Sequence, residues 1–139
     1  MSVEQTRATI TAYAEALLAN TNFADHFTDD VVLELVGGGP PIEGREAVAQ
    51  TITFAHTVAF DSSIELKGIT IADGSAAGEA VFRARHIAEF AGIPATGRQV
   101  EVPYSVIWDV RGDKISALRI YGLVAPLVQQ LTAQETATA

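Results

Sequence analysis

His86-Ile87-Ala88-Glu89-Phe90-Ala91-Gly92-Ile93-Pro94-Ala95-Thr96-Gly97-Arg98 lies between two strand-like runs and joins them into a long hairpin. Glycine at 92 and 97 and proline at 94 mark a specific connection, since neither residue continues a ladder cheaply. Ala76 to Phe90 reads as a strand before it, and Arg98 to Val110 as a strand after it. Strand alternation places Phe82, Ala84, His86 and Ala88 on one face, and Val100, Val102, Tyr104, Val106 and Trp108 on one face of the next strand. These faces are the more apolar, so His86, Tyr104 and Trp108 are expected to project inward, with Arg83, Arg85, Glu101 and Asp109 outward. A hairpin that mixes bulky apolar groups with a few polar ones suits the wall of a small-molecule pocket.

Working outward, Val3 to Asn20 reads as a helix with Ser2 as N-cap, Gln5 three residues on, and Ile10, Ala14, Leu17 and Leu18 as its apolar stripe. A short second helix is expected over Phe23 to Phe27, broken by Thr28-Asp29-Asp30, and a strand over Val31 to Val36, ended by Gly37-Gly38-Gly39-Pro40-Pro41. A third helix follows from Gly44 to about Phe60. Ile64 to Ile71 reads as a strand, Asp73-Gly74 as a turn, Lys114 to Gly122 as the last strand, and a short helix follows Pro126. Helices grouped first and strands last predict an α+β fold, in which a curved antiparallel or mixed sheet wraps the N-terminal helices and leaves a cavity on its concave face.

A length of 139 residues suits one domain, expected over residues 1–131 with 132–139 as a flexible tail. The net charge of −8 and pI near 4.7 disfavour nucleic acid and anionic membrane surfaces as partners, and favour a neutral small molecule. The absence of cysteine excludes disulfides and thiolate catalysis. The first residues carry no basic run followed by an apolar one, so a cytoplasmic location is expected. The 3 histidines are widely separated with no metal-ligand spacing, and no metal is expected.

The stretch 86–98 is similar to the H-x-x-E-F-x-G-I-P-x-T-G-[RK] signature of the SnoaL-like polyketide cyclases, a family of the NTF2-like superfamily. Ile42-Glu43-Gly44-Arg45-Glu46-Ala47-Val48 resembles that family's helix entry, and Gly112-Asp113-Lys114-Ile115 its turn, so the resemblance runs from about Val3 to Leu131. It implies an NTF2-like cone and a cofactor-independent cyclase or isomerase that moves protons on a hydrophobic, oxygenated, polyketide-like metabolite, with no cofactor and with a homodimer as partner state. Two other readings stand beside it: a non-catalytic ligand-binding or interaction protein, and an epoxide hydrolase-like enzyme. The family's last strand often ends in Asp, whereas Leu118-Arg119-Ile120-Tyr121-Gly122-Leu123 carries no carboxylate, and the epoxide-hydrolase dyad has no match at Arg83-Ala84-Arg85.

His86 is the first acid/base candidate, because imidazole titrates near neutrality and the residue coincides with the family motif; the alternative is a structural histidine. Tyr104 and Tyr121 are candidate donors to a substrate carbonyl, against a role in core packing. Phe82 and Trp108 are candidate pocket walls, Trp108 either stacking on a ring or filling the core. Glu34 would be a buried base if it faced inward and a solvated charge if not; Arg119 would face the pocket or pair with a carboxylate. Tyr13 and His56 lie on helices expected to cover the cavity mouth, where His56 either meets a substrate oxygen or caps its helix.

Overall fold

Helix α1 (Val3–Leu18) starts where the sequence signals it: Ser2 accepts a hydrogen bond from the Gln5 N–H at 3.0 Å. The structure, a computed structural model, describes residues 2–133. The face that α1 buries is rotated from the expected stripe. Thr6, Thr9, Ile10 and Tyr13 are its buried residues, while Leu18 is exposed. The threonines are wanted there because the sheet offers them turn backbone. Thr6 Oγ1 donates to Ser2 O at 3.0 Å and accepts from Gly74 N–H at 2.9 Å, and Thr9 Oγ1 donates to Asp113 O at 3.3 Å.

A 3-10 turn (Phe23–His26) leads into β1 (Phe27–Leu35), which begins earlier than expected and includes Thr28-Asp29-Asp30. Aspartates are poor strand formers, but here both face solvent and pair with arginines: Arg45 reaches Asp29 at 2.9 Å and Arg111 reaches Asp30 at 2.6 Å. A two-residue strand β2 (Ile42–Glu43), unmarked in the sequence, precedes α2 (Arg45–Thr53). The expected long third helix stops short. It widens into a π-helical turn (Phe54–Val58), and Phe60 already belongs to β3 (Phe60–Ala72). Next come β4 (Ser75–His86), which ends before Phe90, β5 (Gln99–Arg111), β6 (Lys114–Tyr121) and α3 (Val124–Thr132). The tail expected over 132–139 lies outside the described residues apart from its first two, and Thr132 ends α3.

The strands form one six-stranded sheet in the order β2-β1-β6-β5-β4-β3. β1 runs parallel to β6, and the other neighbours are antiparallel. Register shifts between Phe27 and Val32, Leu66 and Gly68, and Asp109 and Val110 break the ladders, and such bulges bend a sheet. The result is an α+β cone: a curved, unclosed mixed sheet with three α-helices among the described residues. β4 and β5 pair from Ser75↔Asp109 to Arg85↔Gln99, but β6 meets β5 only as far as Ser105↔Tyr121. The first turns of β5 therefore present a bare backbone edge on the β6 side.

Two apolar clusters fill the concave side. One gathers Tyr13, Phe23, Phe27, Leu33 and Trp108 under α1; the other gathers Phe60, Phe82, Val100 and Val102 with Leu127 and Leu131 of α3. The edge of the Trp108 indole comes close to β4 at Gly78, where no side chain stands in its way. A Cβ built on Gly78 would stand 2.7 Å from the indole edge. Gly78→Ala should therefore overpack this cluster and cost about 1–3 kcal/mol of stability, read as a lower urea midpoint at unchanged slope; an unshifted midpoint contradicts the packing described.

Candidate functional site

The two clusters do not merge completely, and a cavity of about 110 Å³ remains between them. Leu33 and Leu35 of β1, Phe82 of β4, Tyr104 of β5 and Ile120 of β6 supply the sheet side. Ile52 and the π-helical turn close one flank, Phe90 of the 87–98 loop another, and Leu123, Val124 and Leu127 the mouth. No Asp, Glu, Lys or Arg lines it. The polar side chains on its wall are Thr51, His56 and Tyr104. Among the described residues no group of three or more His, Asp or Glu side chains could hold a metal ion.

His56 owes its position to the π-helical turn, whose extra residue carries the Ala59 N–H to Phe54 O at 2.8 Å. Ser62 of β3 donates to the His56 carbonyl at 2.9 Å and anchors the turn to the sheet. The His56 ring lies 2.7 Å from Ile52 O through Nδ1. A carbonyl only accepts, so Nδ1 carries the hydrogen and the neutral ring keeps a lone pair on Nε2. Phe82 meets the ring edge-on at 6.1 Å. Burial pulls the His56 pKa below the ordinary imidazole value, with the bond to Ile52 opposing it more weakly. His56 also borders an open groove of about 660 Å³ on the outer side, between the end of α1 and β3. The ring thus stands in the partition between solvent and the enclosed cavity.

Across the cavity, burial pushes the Tyr104 phenol up to about 12, so it remains an O–H donor throughout the physiological range. Tyr13 is raised further, first by its own burial and then by Tyr104 nearby. An apolar chamber therefore presents one lone-pair acceptor, His56, and one persistent donor, Tyr104.

His86 does not line this cavity. It is fully buried, and its Nδ1 accepts from the Thr96 N–H at 3.2 Å and meets Thr96 Oγ1 at 3.0 Å. That hydroxyl accepts in turn from Arg98 N–H at 3.1 Å, which frees its own hydrogen for the ring. The His86 N–H donates to Arg98 O, Gly97 N–H returns to His86 O, and the Phe60 ring lies 5.2 Å from the imidazole. The acid/base expectation for His86 thus gives way to its alternative: the imidazole is the pin that closes the 87–98 loop. Gly97 follows with φ 70, a left-handed conformation that glycine adopts without strain. The motif's Thr and Gly serve this closure, and its Phe90 reaches the cavity.

The other candidates divide by face. Phe82 and Tyr104 line the cavity as expected. Tyr121 does not: it is 42% exposed on the convex face, and it adjoins Arg119. Arg119 forms a two-pronged pair with Asp109 at 2.7 and 3.2 Å on that same face. Glu34 sits opposite Arg119 in the ladder, and because Leu33 and Leu35 both face the cavity, alternation turns Glu34 away from it. Trp108 and Tyr13 belong to the aromatic cluster with Phe23 and Phe27 rather than to the cavity wall. Leu33, Leu35, Thr51 and Leu127 were not singled out from the sequence. Alternation around Glu34 marks the first two, and the 127/131 spacing marks the last. Nothing local marks Thr51.

A helix-backed, half-open cone around a small apolar chamber is a fold of the NTF2-like or ketosteroid isomerase-like kind. Within that class the chain belongs to the SnoaL-like domain family, whose profile matches residues 6–118. Among solved structures it is similar to a proposed SnoaL-like polyketide cyclase from a Jannaschia species (14% identity, 94% of each chain, TM-score 0.82). It is also similar to a proposed polyketide cyclase from Xanthomonas campestris (20% identity, 94% of this chain and 98% of the other, TM-score 0.81). A third similar structure, a protein with a ketosteroid isomerase-like fold from Catenulispora acidiphila, gives 22% identity over 88% of this chain and 91% of the other, at a TM-score of 0.65. These likenesses show the fold. The sequence matches no curated protein. No helix among the described residues is long and apolar enough to cross a membrane.

The His56 environment sets a pH dependence. Its folded pKa lies below the unfolded value of about 6.5, so the unfolded chain takes up the proton first as pH falls. Stability from this group is fully present above about pH 6.5 and is lost as pH falls through the folded pKa. A ring-proton titration by NMR should give a His56 midpoint below that of a histidine in a model peptide; a midpoint at or above it contradicts the burial argument.

Proposed function

We propose that this protein is a cofactor-independent enzyme that transfers protons on a neutral, hydrophobic, oxygenated metabolite, as an isomerase or a cyclase. The observation that carries this reading is the pairing, within one apolar chamber, of the His56 Nε2 lone pair with the Tyr104 phenol. His56 would act as base and Tyr104 as the donor that receives developing charge. Nε2 takes a hydrogen from the carbon next to a carbonyl, the C–H pair becomes the enolate double bond, and the carbonyl oxygen, now negative, is held by the Tyr104 O–H. In isomerisation the imidazolium returns the proton to a different carbon. In cyclisation the enolate carbon attacks a second carbonyl of the same molecule, and the new alkoxide takes the proton. Either way the proton balance closes on His56, and exclusion of water keeps the enolate from being quenched early.

The depressed His56 pKa supports the assignment, because the ring is a free base at neutral pH. The wall without charged side chains favours a neutral guest over a carboxylate or phosphate ester. Solved structures described as proposed polyketide cyclases share the fold, which favours a polyketide-like guest. A cytoplasmic homodimer is part of the same proposal. A non-catalytic binding protein is the second reading, and the absence of any carboxylate on the cavity wall favours it. That same absence counts against epoxide opening, which needs an acid and an activated water.

The two readings separate in heavy water. The protein should exchange the α-hydrogens of neutral cyclic ketones, followed by NMR, with a rate that rises as pH rises through the His56 ionisation and then levels. His56→Gln should lower that rate by about 10²–10⁴-fold, and Tyr104→Phe by about 10²–10³-fold. Binding of ketones without any exchange supports the non-catalytic reading, and an unaffected rate in His56→Gln eliminates the mechanism.

A further inference from the structure

The chamber's volume of about 110 Å³ is smaller than the roughly 150 Å³ void that accepts a benzene ring, and far below the ~300–1,000 Å³ of common ligand sites. Even a single ring must therefore displace some of the wall, and a guest of several rings must displace much more of it. Leu33, Leu35, Phe82, Tyr104 and Ile120 sit on paired strands, and the π-helical turn beyond α2 is tied to β3 by Ser62, whereas Leu123, Val124 and Leu127 belong to α3 and the residue leading into it.

α3 makes its side-chain hydrogen bonds to the sheet at its far end, while at its root Val124 only packs beside Gly38. β6 leaves the early part of β5 uncovered, so the Glu101 N–H and C=O point to an edge with no strand partner. Gln130 supplies both missing bonds: its Oε1 accepts from Glu101 N–H at 3.0 Å and its Nε2 donates to Glu101 O at 2.9 Å. Arg98 adds a bond to Gln130 O at 3.2 Å. Pro103, two residues on, turns its hydrogen-free nitrogen to the same edge, where a donor would stand unpaired. At the root, Gly122 has φ 78 with nothing within 4 Å of where a Cβ would be, and α3 begins without a side-chain cap. Glycine with open space around it tolerates the backbone change that a swing requires. Leu127 and Leu131 pack on the sheet between root and tip.

We propose that α3 is a gate pivoting near Gly122, and that Gln130 is its latch, so that the side-chain amide decides how large a guest the chamber admits. This rests on the small-molecule reading above. A satisfied edge alone would make Gln130 a local cap; the gate requires that loosening Gln130 change access to a cavity on whose wall Gln130 itself does not lie.

The test compares the wild type with Gln130→Ala, and with Gln130→Glu, which keeps the chain length and an acceptor but loses the Nε2–H. Amide hydrogen exchange of the ligand-free proteins should be faster in α3 and at Glu101 by about 10-fold in Gln130→Ala, less so in Gln130→Glu, with β3 and β4 unchanged. Stopped-flow mixing with anthrone, a three-ring ketone, should give association about 10-fold faster in Gln130→Ala, while association of 2-cyclohexenone, a single ring that displaces less of the wall, is accelerated less. Ketone binding with unaltered α3 exchange, or equal acceleration for both ketones, overturns the latch. Binding of neither ketone to any of the three proteins overturns the small-molecule reading itself, and with it the size selection.

Discussion

The unequal pairing of β5 is the constraint on which the site depends. The strand is covered by β4 along its whole length but by β6 only from Ser105 onward. A sheet that closed evenly there would bring its inward side chains together and leave a solid core. Because it does not, the concave face opens at one end, and helical segments must finish what the strands leave open. The end of α2 arrives from one side and α3 from the other. Neither fills the gap, and the residual space is the chamber.

The same constraint sorts polar groups. On the convex face, Arg83 reaches both Glu65 and Glu101 across three strands, and Arg119 pairs with Asp109. These charges remain in water, where they cost little and contribute little. Inside, most polar groups find a partner, although His86 Nε2 and Trp108 Nε1 have none among the described residues. Thr6 and Thr9 spend their hydroxyls on turn backbone beneath α1. His86 directs Nδ1 to Thr96 and so holds a loop of two positive-φ glycines and a proline in one shape. His56 uses only one nitrogen on its own helix, and the other faces no hydrogen-bond partner among the described residues. Two histidines on one side of one sheet thus take opposite roles, one sealing the scaffold and one left with unspent basicity.

Much of this was legible in the residues. Alternation in β4 and β5 sent Phe82, His86, Tyr104 and Trp108 inward without a parity error, because no bulge interrupts their pairing between residues 99 and 109. The caps and turns at Ser2, Asp73-Gly74 and Gly112-Asp113 stand where their chemistry demands. The errors share a physical origin: each needed knowledge of a partner distant in sequence. Asp29 and Asp30 read as a break because their arginines come from α2 and β5. The α2 pattern ran on to Phe60 because the π-helical turn is held by Ser62 of β3. His86 looked catalytic because its neighbour in space, Thr96, is ten residues along the chain and could not be recognised as its partner.

The one-dimensional chain thus determined the α+β class and the strand faces, which follow from local periodicity, and the family, which follows from the likeness of the 86–98 motif. Only the folded chain decided which imidazole meets the chamber, how small that chamber is, and that Gln130 of α3 ties down the β5 edge. Those depend on where strands stop pairing and which distant groups then satisfy the exposed backbone, and register between remote segments is a property that no local pattern encodes.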